Sequence, residues 1–302
     1  MKTLESRTRI ALKNILFATD FEVSASRALP FAVALAKRYG AKLYAVHAIP
    51  PEAYALGSPE SVDRVLAEAR DFAGYTLNQL LVPLRSQGLS CNAMLGEGKV
   101  TEVIEEFVHK RAADLLVVGT SSRMGLGKMF LGSVAEELIR DSPCPVLTVG
   151  PHVTTLASSG VQCILCATDF SPASTHAVEF AVSLAEEYQA HLTMLHVLDG
   201  KLPTSLQYAI ESSERRLRQA LPSEIEEIEL PFAPELVVEA GAVADRVVNL
   251  AGDLSSDIIV MGANGVGAFA ETASRLGSIV HRVIAFAPCP VLTVHNVQKL
   301  ET

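Results

Sequence analysis

The stretch ILFATDF, residues 15–21, decides how this chain is organised, because it returns as ILCATDF at residues 164–170. Four further blocks recur in the same order, pairing residues 28–36 with 177–185, 43–47 with 192–196, 114–119 with 257–262, and 143–149 with 288–294. Several matches in one order indicate an internal duplication. We predict two copies of one domain, a first repeat at residues 1–150 and a second repeat at 161–302, joined by a linker at 151–160.

Each repeat alternates two kinds of hydrophobic pattern. Residues 15–19 and 43–49 are short apolar runs, which are typical of strands buried on both faces. Apolar residues recur at helical spacing within 28–36 and 62–80. Strand followed by helix, twice over, predicts an α/β fold with a doubly wound parallel sheet in each repeat, the Rossmann-like arrangement. Ligands of such sheets bind beyond the carboxyl ends of the strands, where the strand order reverses.

The composition and net charge argue against nucleic-acid and membrane partners. The chain has 302 residues, of which 49% are hydrophobic, and a formal net charge of -9. An acidic protein repels a phosphate backbone, so we expect no nucleic-acid partner. We expect no membrane partner either, because no run approaches the roughly 18 apolar residues of a membrane span. The first residues lack the apolar core of a secretion signal, so we predict a cytoplasmic protein.

The cysteines are too few and too scattered for a disulfide framework. Cys163 and Cys166 have the CxxC spacing of redox and metal sites, but they lie in an apolar run typical of a strand. Residues three apart on a strand point to opposite faces, so we interpret both as buried packing residues. No cluster has metal-ligand spacing and no nucleophile is paired with a base, so we predict neither a metal site nor a catalytic residue.

Glycines follow the apolar run at 114–118 of the first repeat. Gly119 comes at the predicted strand end, and Gly132 and Ser133 come directly before a predicted helix at 134–139. The first N–H groups of a helix have no partner inside it and carry the positive end of its dipole. Phosphate groups bind at such places, and the Ser133 hydroxyl adds a further donor.

These motifs resemble the universal stress protein family over nearly the whole chain, as a tandem pair. The resemblance implies the adenine nucleotide α-hydrolase-like variety of the Rossmann-like fold and a site for ATP, with or without Mg²⁺. It implies that Thr19 and Asp20 line the adenine and ribose and that the backbone at Ala48 meets adenine. The phosphates would be held by Gly119, Ser122, Arg123, Gly132 and Ser133. The corresponding positions of the second repeat are Asp169, Val197, Gly262, Gly265, Gly277 and Ser278.

The two loops depart from the family's G-x2-G-x9-G-[ST] spacing in different ways. The first repeat keeps nine residues before Gly132 but has Ser122 in place of the second glycine. The second repeat keeps Gly265 but has eleven residues before Gly277, with Glu271 among them. We therefore predict unequal sites, the better one in the first repeat.

Other interpretations of these residues stay open. Asp20 and Asp169 could cap the helices that follow them, and the glycines could serve tight turns alone. His47 and His196 lie inside apolar runs, where we expect them to pack or to hydrogen-bond locally.

The predicted function is that of a stress-response protein that binds ATP or a related adenine nucleotide as a sensor or regulator. The alternatives are a slow ATPase at the same site and a module that binds another small molecule or a protein partner through degenerate loops. The proline-led runs at 143–149 and 288–294 are candidate edge strands. The resemblance implies that these strands mediate pairing, here between the two repeats of one chain, with a homodimer of the whole chain as a further alternative.

Overall fold

The structure is a computed structural model that describes residues 10–51, 59–120, 123–125, 128–153, 160–199, 205–222, 228, 230–263 and 278–295. For residues 59–61, 123–125, 128–130 and 278 it describes the backbone alone. Three predicted site residues therefore lie outside the described residues, namely Ser122, Gly265 and Gly277. The side chains of Arg123 and Ser278 and most of the predicted linker, residues 154–159, also lie outside them.

By its internal contacts the chain divides into two compact units. One comprises Leu12–Ser121 and Gly132–Val149, and the other is built mainly on the described residues from Gly150 onward. Each unit contains one parallel sheet of five strands, so the predicted fold class is confirmed.

Strands and helices alternate along the first repeat, with a short antiparallel hairpin formed by its fifth and sixth strands. The elements are β1 (Asn14–Ala18), α1 (Val23–Tyr39), β2 (Lys42–Ile49), α2 (Pro59–Ser86), β3 (Cys91–Glu97), α3 (Val100–Arg111), β4 (Leu115–Gly119), β5 (Arg123–Gly125), β6 (Lys128–Phe130), α4 (Ser133–Asp141) and β7 (Val146–Val149). The sheet order is β7-β4-β1-β2-β3, and every neighbouring pair is parallel. The order reverses between β1 and β4, so their carboxyl ends mark the expected ligand position.

The second repeat follows the same plan. Its elements are β8 (Cys163–Ala167), α5 (Pro172–Tyr188), β9 (His191–Leu198), α6 (Leu206–Ala220), β10 (Glu235–Ala240), α7 (Val243–Asp253), β11 (Ile258–Gly262), α8 (Ser278–Phe286) and β12 (Val291–Val294). The parallel order is β12-β11-β8-β9-β10.

The centre of each sheet is apolar on both faces. In β1, Ile15, Leu16 and Phe17 are at most 1% exposed, as the continuous apolar run predicts. Small residues on α1, including Ala28 and Ala32, are fully buried, which lets the helix lie close to the sheet.

Gly119, at the end of β4, allows this strand to approach the start of α1 still more closely. A Cβ added to Gly119 would stand 2.0 Å from the carbonyl oxygen of Ser24, in the first turn of α1. The equivalent Cβ on Gly262 would stand 2.8 Å from the Ser174 nitrogen of α5. Both glycines therefore hold the end of a strand against the start of a helix, whatever else they do.

The CxxC cysteines lie on β8, as predicted. Cys166 is buried, and burial raises the pKa of its thiol to about 12. Cys163 is half-buried, and burial is the main cause of its raised pKa. Both thiols are protonated at neutral pH, which fits packing residues better than a redox pair.

No helix within the described ranges is long and apolar enough to cross a membrane.

We expect Gly119→Ala to lower the free energy of unfolding by about 3 kcal/mol, because the added methyl group meets backbone atoms that cannot move independently. Gly132→Ala is the matched control, since a Cβ there meets nothing within 4 Å. Its change should stay within about 1 kcal/mol. Urea unfolding followed by circular dichroism measures both, and equal losses would contradict the close contact.

Candidate functional site

A tight turn built by the repeated Thr-Asp-Phe connects β1 to α1. The Thr19 hydroxyl accepts the N–H of Phe21 at 3.0 Å, and Asp20 Oδ1 accepts the N–H of Glu22 at 2.9 Å. Phe21 has a φ of 64°, in the left-handed region that few bulky residues occupy. The second repeat has the same turn, with distances of 3.1 and 3.0 Å and a φ of 64° at Phe170.

The turn does not support the interpretation of the aspartates as helix N-caps. The N-cap of α1 is Glu22, which makes no side-chain cap hydrogen bond, and that of α5 is Ser171. Each aspartate instead accepts the amide of the N-cap residue itself. Asp20 therefore shapes the turn, and its exposed carboxylate stands ahead of the helix.

A histidine closes the turn from the neighbouring strand. His47 Nδ1 lies 2.8 Å from the Thr19 carbonyl oxygen, so this nitrogen carries the proton, and the ring stacks on Phe21 with centroids 4.3 Å apart. His196 repeats the contact at 2.9 Å from the Thr168 carbonyl. The expectation of local packing and hydrogen bonding is confirmed for both histidines.

The second repeat adds a cation to this arrangement. The Arg216 guanidinium lies 3.9 Å from the centre of the Phe170 ring, which in turn packs on His196. Burial, with a smaller contribution from Arg216, lowers the pKa of His196, so the ring stays neutral at neutral pH.

A cavity of about 340 Å³ opens at the carboxyl ends of β1 and β4 in the first repeat. Most of its wall is apolar and is contributed by β1, α1, β2, α3, β4 and α4, through Ala18, Ala25, Ala48, Pro50, Val100, Ile104, Val118, Val134, Ala135 and Leu138. Its other lining residues are Thr19, Asp20, Ser24, His47, Gly119, Thr120 and Gly132. A mostly apolar cleft with a few converging polar groups is the usual form of a small-molecule site.

The cavity brings together five of the predicted site residues of the first repeat: Thr19, Asp20, Ala48, Gly119 and Gly132. Ser133 is the first residue of α4 and is not among the lining residues, whereas Val134 and Ala135 are. In the second repeat, Asp169 follows β8, Val197 lies near the end of β9, and Gly262 ends β11. That these residues bind a ligand stays a prediction.

At Ala48 the peptide edge of β2 extends beyond the end of β1. The last bond between these segments runs from the Thr19 N–H to the Val46 carbonyl, at 2.9 Å. Amides and carbonyls two residues apart on a parallel strand face the same side. Those of Ala48 therefore face the side that β1 has left, while the Ile49 carbonyl faces β3 and accepts the Gly98 N–H.

Two further hydroxyl residues line the cavity, Ser24 and Thr120, and neither was predicted from the sequence. Ser24 is 6% exposed and Thr120 is 3% exposed, and within the described part of the chain the Thr120 hydroxyl has no hydrogen-bond partner. Aligning the two repeats could have drawn attention to them, because the second repeat has Ala173 and Ala263 at these positions.

The second repeat satisfies the start of its helix with its own side chains. Ser171 Oγ accepts the N–H of Ser174 at 3.2 Å, and the Thr168 hydroxyl donates to Ser174 Oγ at 3.0 Å. In the first repeat, Glu22 provides no such cap. The two repeats thus share a turn, but only the first leaves the amides at the start of the following helix without a side-chain cap.

A profile of the universal stress protein family matches residues 11–150 and 161–295, which together make up most of the chain. The chain belongs to the universal stress protein family. It is a tandem member, as the duplication predicts, since each repeat matches the profile separately.

Single-domain relatives align with about half of this chain. A universal stress protein of Methanocaldococcus jannaschii, MJ0531, is 33% identical over 141 residues, which is 45% of this chain and 81% of the relative. One from Thermus aquaticus is 35% identical over 140 residues, 45% of this chain and 98% of the relative. A crystal structure of a universal stress protein from Archaeoglobus fulgidus aligns with a TM-score of 0.72 over 94% of this chain and 98% of its own, at 20% identity. At that identity the similarity shows the fold alone.

A polar cluster joins α3 and α4, two helices that line the cavity. Glu137 of α4 accepts hydrogen bonds from the Lys99 ammonium and, at 3.0 Å, from the Thr101 hydroxyl at the start of α3. The second repeat joins the equivalent helices with reversed charges, through Asp245 and Arg282 at 2.7 Å. The Lys99 ammonium and the Thr101 hydroxyl lower the pKa of Glu137 below its ordinary value.

Within the described residues, no group of three or more His, Cys, Asp or Glu could hold a metal ion. Mg²⁺ is commonly held by ligand phosphates with one or two carboxylates. Asp20 is the carboxylate among the residues that line the cavity. The residues therefore fit Mg²⁺ only as the companion of a bound phosphate ligand.

We expect Glu137→Ala to lower the free energy of unfolding by about 1–2 kcal/mol, because the Thr101 hydroxyl, 1% exposed, loses its acceptor. Glu136→Ala, one position earlier on α4, should cost no more than about 0.5 kcal/mol. Urea unfolding at several pH values measures both changes.

The pH dependence follows from the lowered pKa of Glu137. A carboxyl group with a lowered folded pKa stabilises the fold above its ordinary pKa of 4.5, and that contribution is lost as the pH falls through the folded value. The difference between wild type and Glu137→Gln should therefore shrink in acid. A difference that stays constant down to the acid transition argues against the ion pair.

Proposed function

We propose that the cavity of the first repeat binds ATP or a related adenine nucleotide, and that the protein acts as a nucleotide-responsive regulator in the stress response. The observation that carries the proposal is the cavity at the switch point of the sheet, where Asp20, the Ala48 peptide edge and the start of α4 converge. Its volume of about 340 Å³ lies in the range of small-molecule sites.

The base would lie against the apolar walls at the end of β2. Adenine presents a hydrogen-bond donor and an acceptor side by side, and the N–H and C=O of one peptide edge match that pair. The Ala48 backbone faces the side of β2 where no strand continues, and Val100 and Ile104 of α3 supply apolar surface in the same cavity. These contacts support the assignment of Ala48 to adenine.

The ribose and phosphates would extend from Asp20 towards α4. Asp20 is exposed and lines the cavity, so its carboxylate is available to accept hydrogen bonds from ribose hydroxyls. The first hydrogen bond of α4 runs from the Glu136 N–H to the Gly132 carbonyl. The amides of Ser133, Val134 and Ala135 precede that bond, and such amides bind phosphate groups.

A regulatory role fits a ligand that spans several elements. A nucleotide held at β2, at the Thr-Asp-Phe turn and at α4 stabilises the folded state by an amount that increases with the logarithm of its concentration once that exceeds Kd. The protein would thereby report the nucleotide level. We place this role in the cytoplasm, a reducing compartment that suits five free cysteines.

We further propose that the second repeat binds nucleotide more weakly. Its helix α5 is capped by Ser171, and Arg216 covers the Phe170 ring beside the turn. Its loop also departs from the family spacing before Gly277.

The experiment is titration calorimetry with ATP on wild type and on Gly132→Glu. Wild type should release or absorb heat and saturate, whereas Gly132→Glu should weaken binding at least about 100-fold, because the new carboxylate repels phosphate at the helix start. A Cβ at Gly132 meets nothing within 4 Å, so we expect the fold to persist.

Gly252→Glu is the control for added charge. Gly252 lies in α7, and a Cβ there also meets nothing within 4 Å. ATP binding by this variant should equal that of wild type. Absence of heat from wild type with ATP, ADP, AMP and adenosine would sink the proposal.

A further inference from the structure

The lining of the first-repeat cavity near Ser24 and Thr120, here called its floor, has an unpaired polar group that the proposed nucleotide site does not use. Thr120 directly follows β4 and lines the cavity at 3% exposure, and its hydroxyl has no hydrogen-bond partner among the residues that the structure describes. A buried hydroxyl without a partner lowers stability, so such groups in folded proteins are rare and call for an explanation.

The start of α1, which has no side-chain cap, contributes residues to the lining of the same cavity. Val23, Ser24 and Ala25 precede the first hydrogen bond of α1, which runs from the Ser26 N–H to the Glu22 carbonyl. Glu22 makes no side-chain cap, and Ser24 and Ala25 line the cavity. The helix thus presents the positive end of its dipole to the cavity, beside the unpaired hydroxyl of Thr120.

The second repeat lacks each of these features. Ala173 and Ala263 replace the two hydroxyl residues, and Ser171 caps α5 with a bond to the Ser174 N–H. The turn itself has the same hydrogen bonds in both repeats, so the second repeat lacks these donors although it keeps the turn.

We propose that Ser24, Thr120 and the first turn of α1 form an anion subsite that takes a phosphoryl oxygen of the bound nucleotide. The subsite rests on the proposed nucleotide function and adds a second helix start to that of α4. In the structure the Thr120 hydroxyl oxygen is buried, so donating its hydrogen to the phosphoryl oxygen requires a rotation about χ1 towards the cavity that Thr120 lines. Asp20 brings a negative charge to the same cavity, which opposes anion binding. Its Oδ1 accepts the Glu22 N–H, and its carboxylate is assigned to the ribose.

The subsite makes the cavity selective for phosphorylated ligands over the bare nucleoside. Thr120→Val keeps the shape of the side chain and removes the hydroxyl. It should weaken ATP binding at least about tenfold, as expected for a lost hydrogen bond to a charged oxygen, and leave adenosine binding within about twofold of wild type. Thr120→Ser, which keeps the hydroxyl, should restore most of the ATP affinity. Calorimetry with ATP and adenosine measures all of these.

Thr148→Val provides a matched control. Thr148 is a fully buried residue of β7 whose hydroxyl likewise has no hydrogen-bond partner in the described ranges, but it does not line the cavity. Both valine variants should unfold at or above the wild-type temperature without ligand, and Thr148→Val should bind ATP as wild type does. A lower melting temperature for Thr120→Val alone would show a structural role for the hydroxyl and overturn the proposal.

Two further outcomes separate this subsite from the nucleotide function. If Thr120→Val leaves ATP affinity unchanged, or weakens ATP and adenosine equally, the subsite is wrong and the nucleotide function stands. If wild type binds no nucleotide, the nucleotide function is wrong, and inorganic phosphate decides the subsite. A rise in melting temperature with phosphate that disappears in Thr120→Val supports the anion subsite, and no rise with phosphate overturns it.

Discussion

The contact between Gly119 and the first turn of α1 is the constraint on which the first-repeat site depends. With a hydrogen in place of a side chain, the end of β4 approaches the Ser24 carbonyl to a distance that any Cβ would forbid. This approach places the floor residues Ser24 and Thr120 beside one another at the point where the strand order reverses. The Thr-Asp-Phe turn places Asp20 among the lining residues, and the Lys99–Glu137 ion pair joins the start of α3 to α4, two helices that also line the cavity. Gly262 repeats the contact in the second repeat, so the scaffold is duplicated even where the groups around it differ.

Much of this arrangement could be predicted from the sequence, because local patterns determine it. The continuous apolar run at 15–19 predicts a strand buried on both faces, and β1 is buried on both faces. The repeated Thr-Asp-Phe predicts one turn made twice, and the two turns have the same hydrogen bonds and the same left-handed phenylalanine. The duplication and the parallel order follow from patterns of this kind.

The rest depends on contacts between residues far apart in the chain. Periodicity predicts that α3 and α4 each bury a face, but not that Val100 and Leu138 face one cavity. The interpretation of Asp20 as a helix cap was wrong because the N-cap is Glu22, two residues later, at a point that depends on the turn geometry. The role of Thr120 could not be predicted from the sequence, because whether a hydroxyl has a hydrogen-bond partner depends on all of its neighbours in the fold.

The differences between the repeats form one pattern. Hydroxyls at positions 24 and 120 become alanines at 173 and 263, an uncapped helix becomes one capped by Ser171, and the ion pair between the wall helices reverses its charges. The reversed ion pair retains the helix contact, whereas the other changes remove groups that could serve a ligand. The two repeats therefore share the scaffold but differ in the groups beside the turn.

Native mass spectrometry of the purified full-length chain, titrated with ATP, tests the central claim of one strong and one weak site most directly. If the two sites are unequal, a single ATP adduct per chain should accumulate nearly to completion before a second appears. Two adducts that fill together in the statistical proportions of equal, independent sites would contradict it.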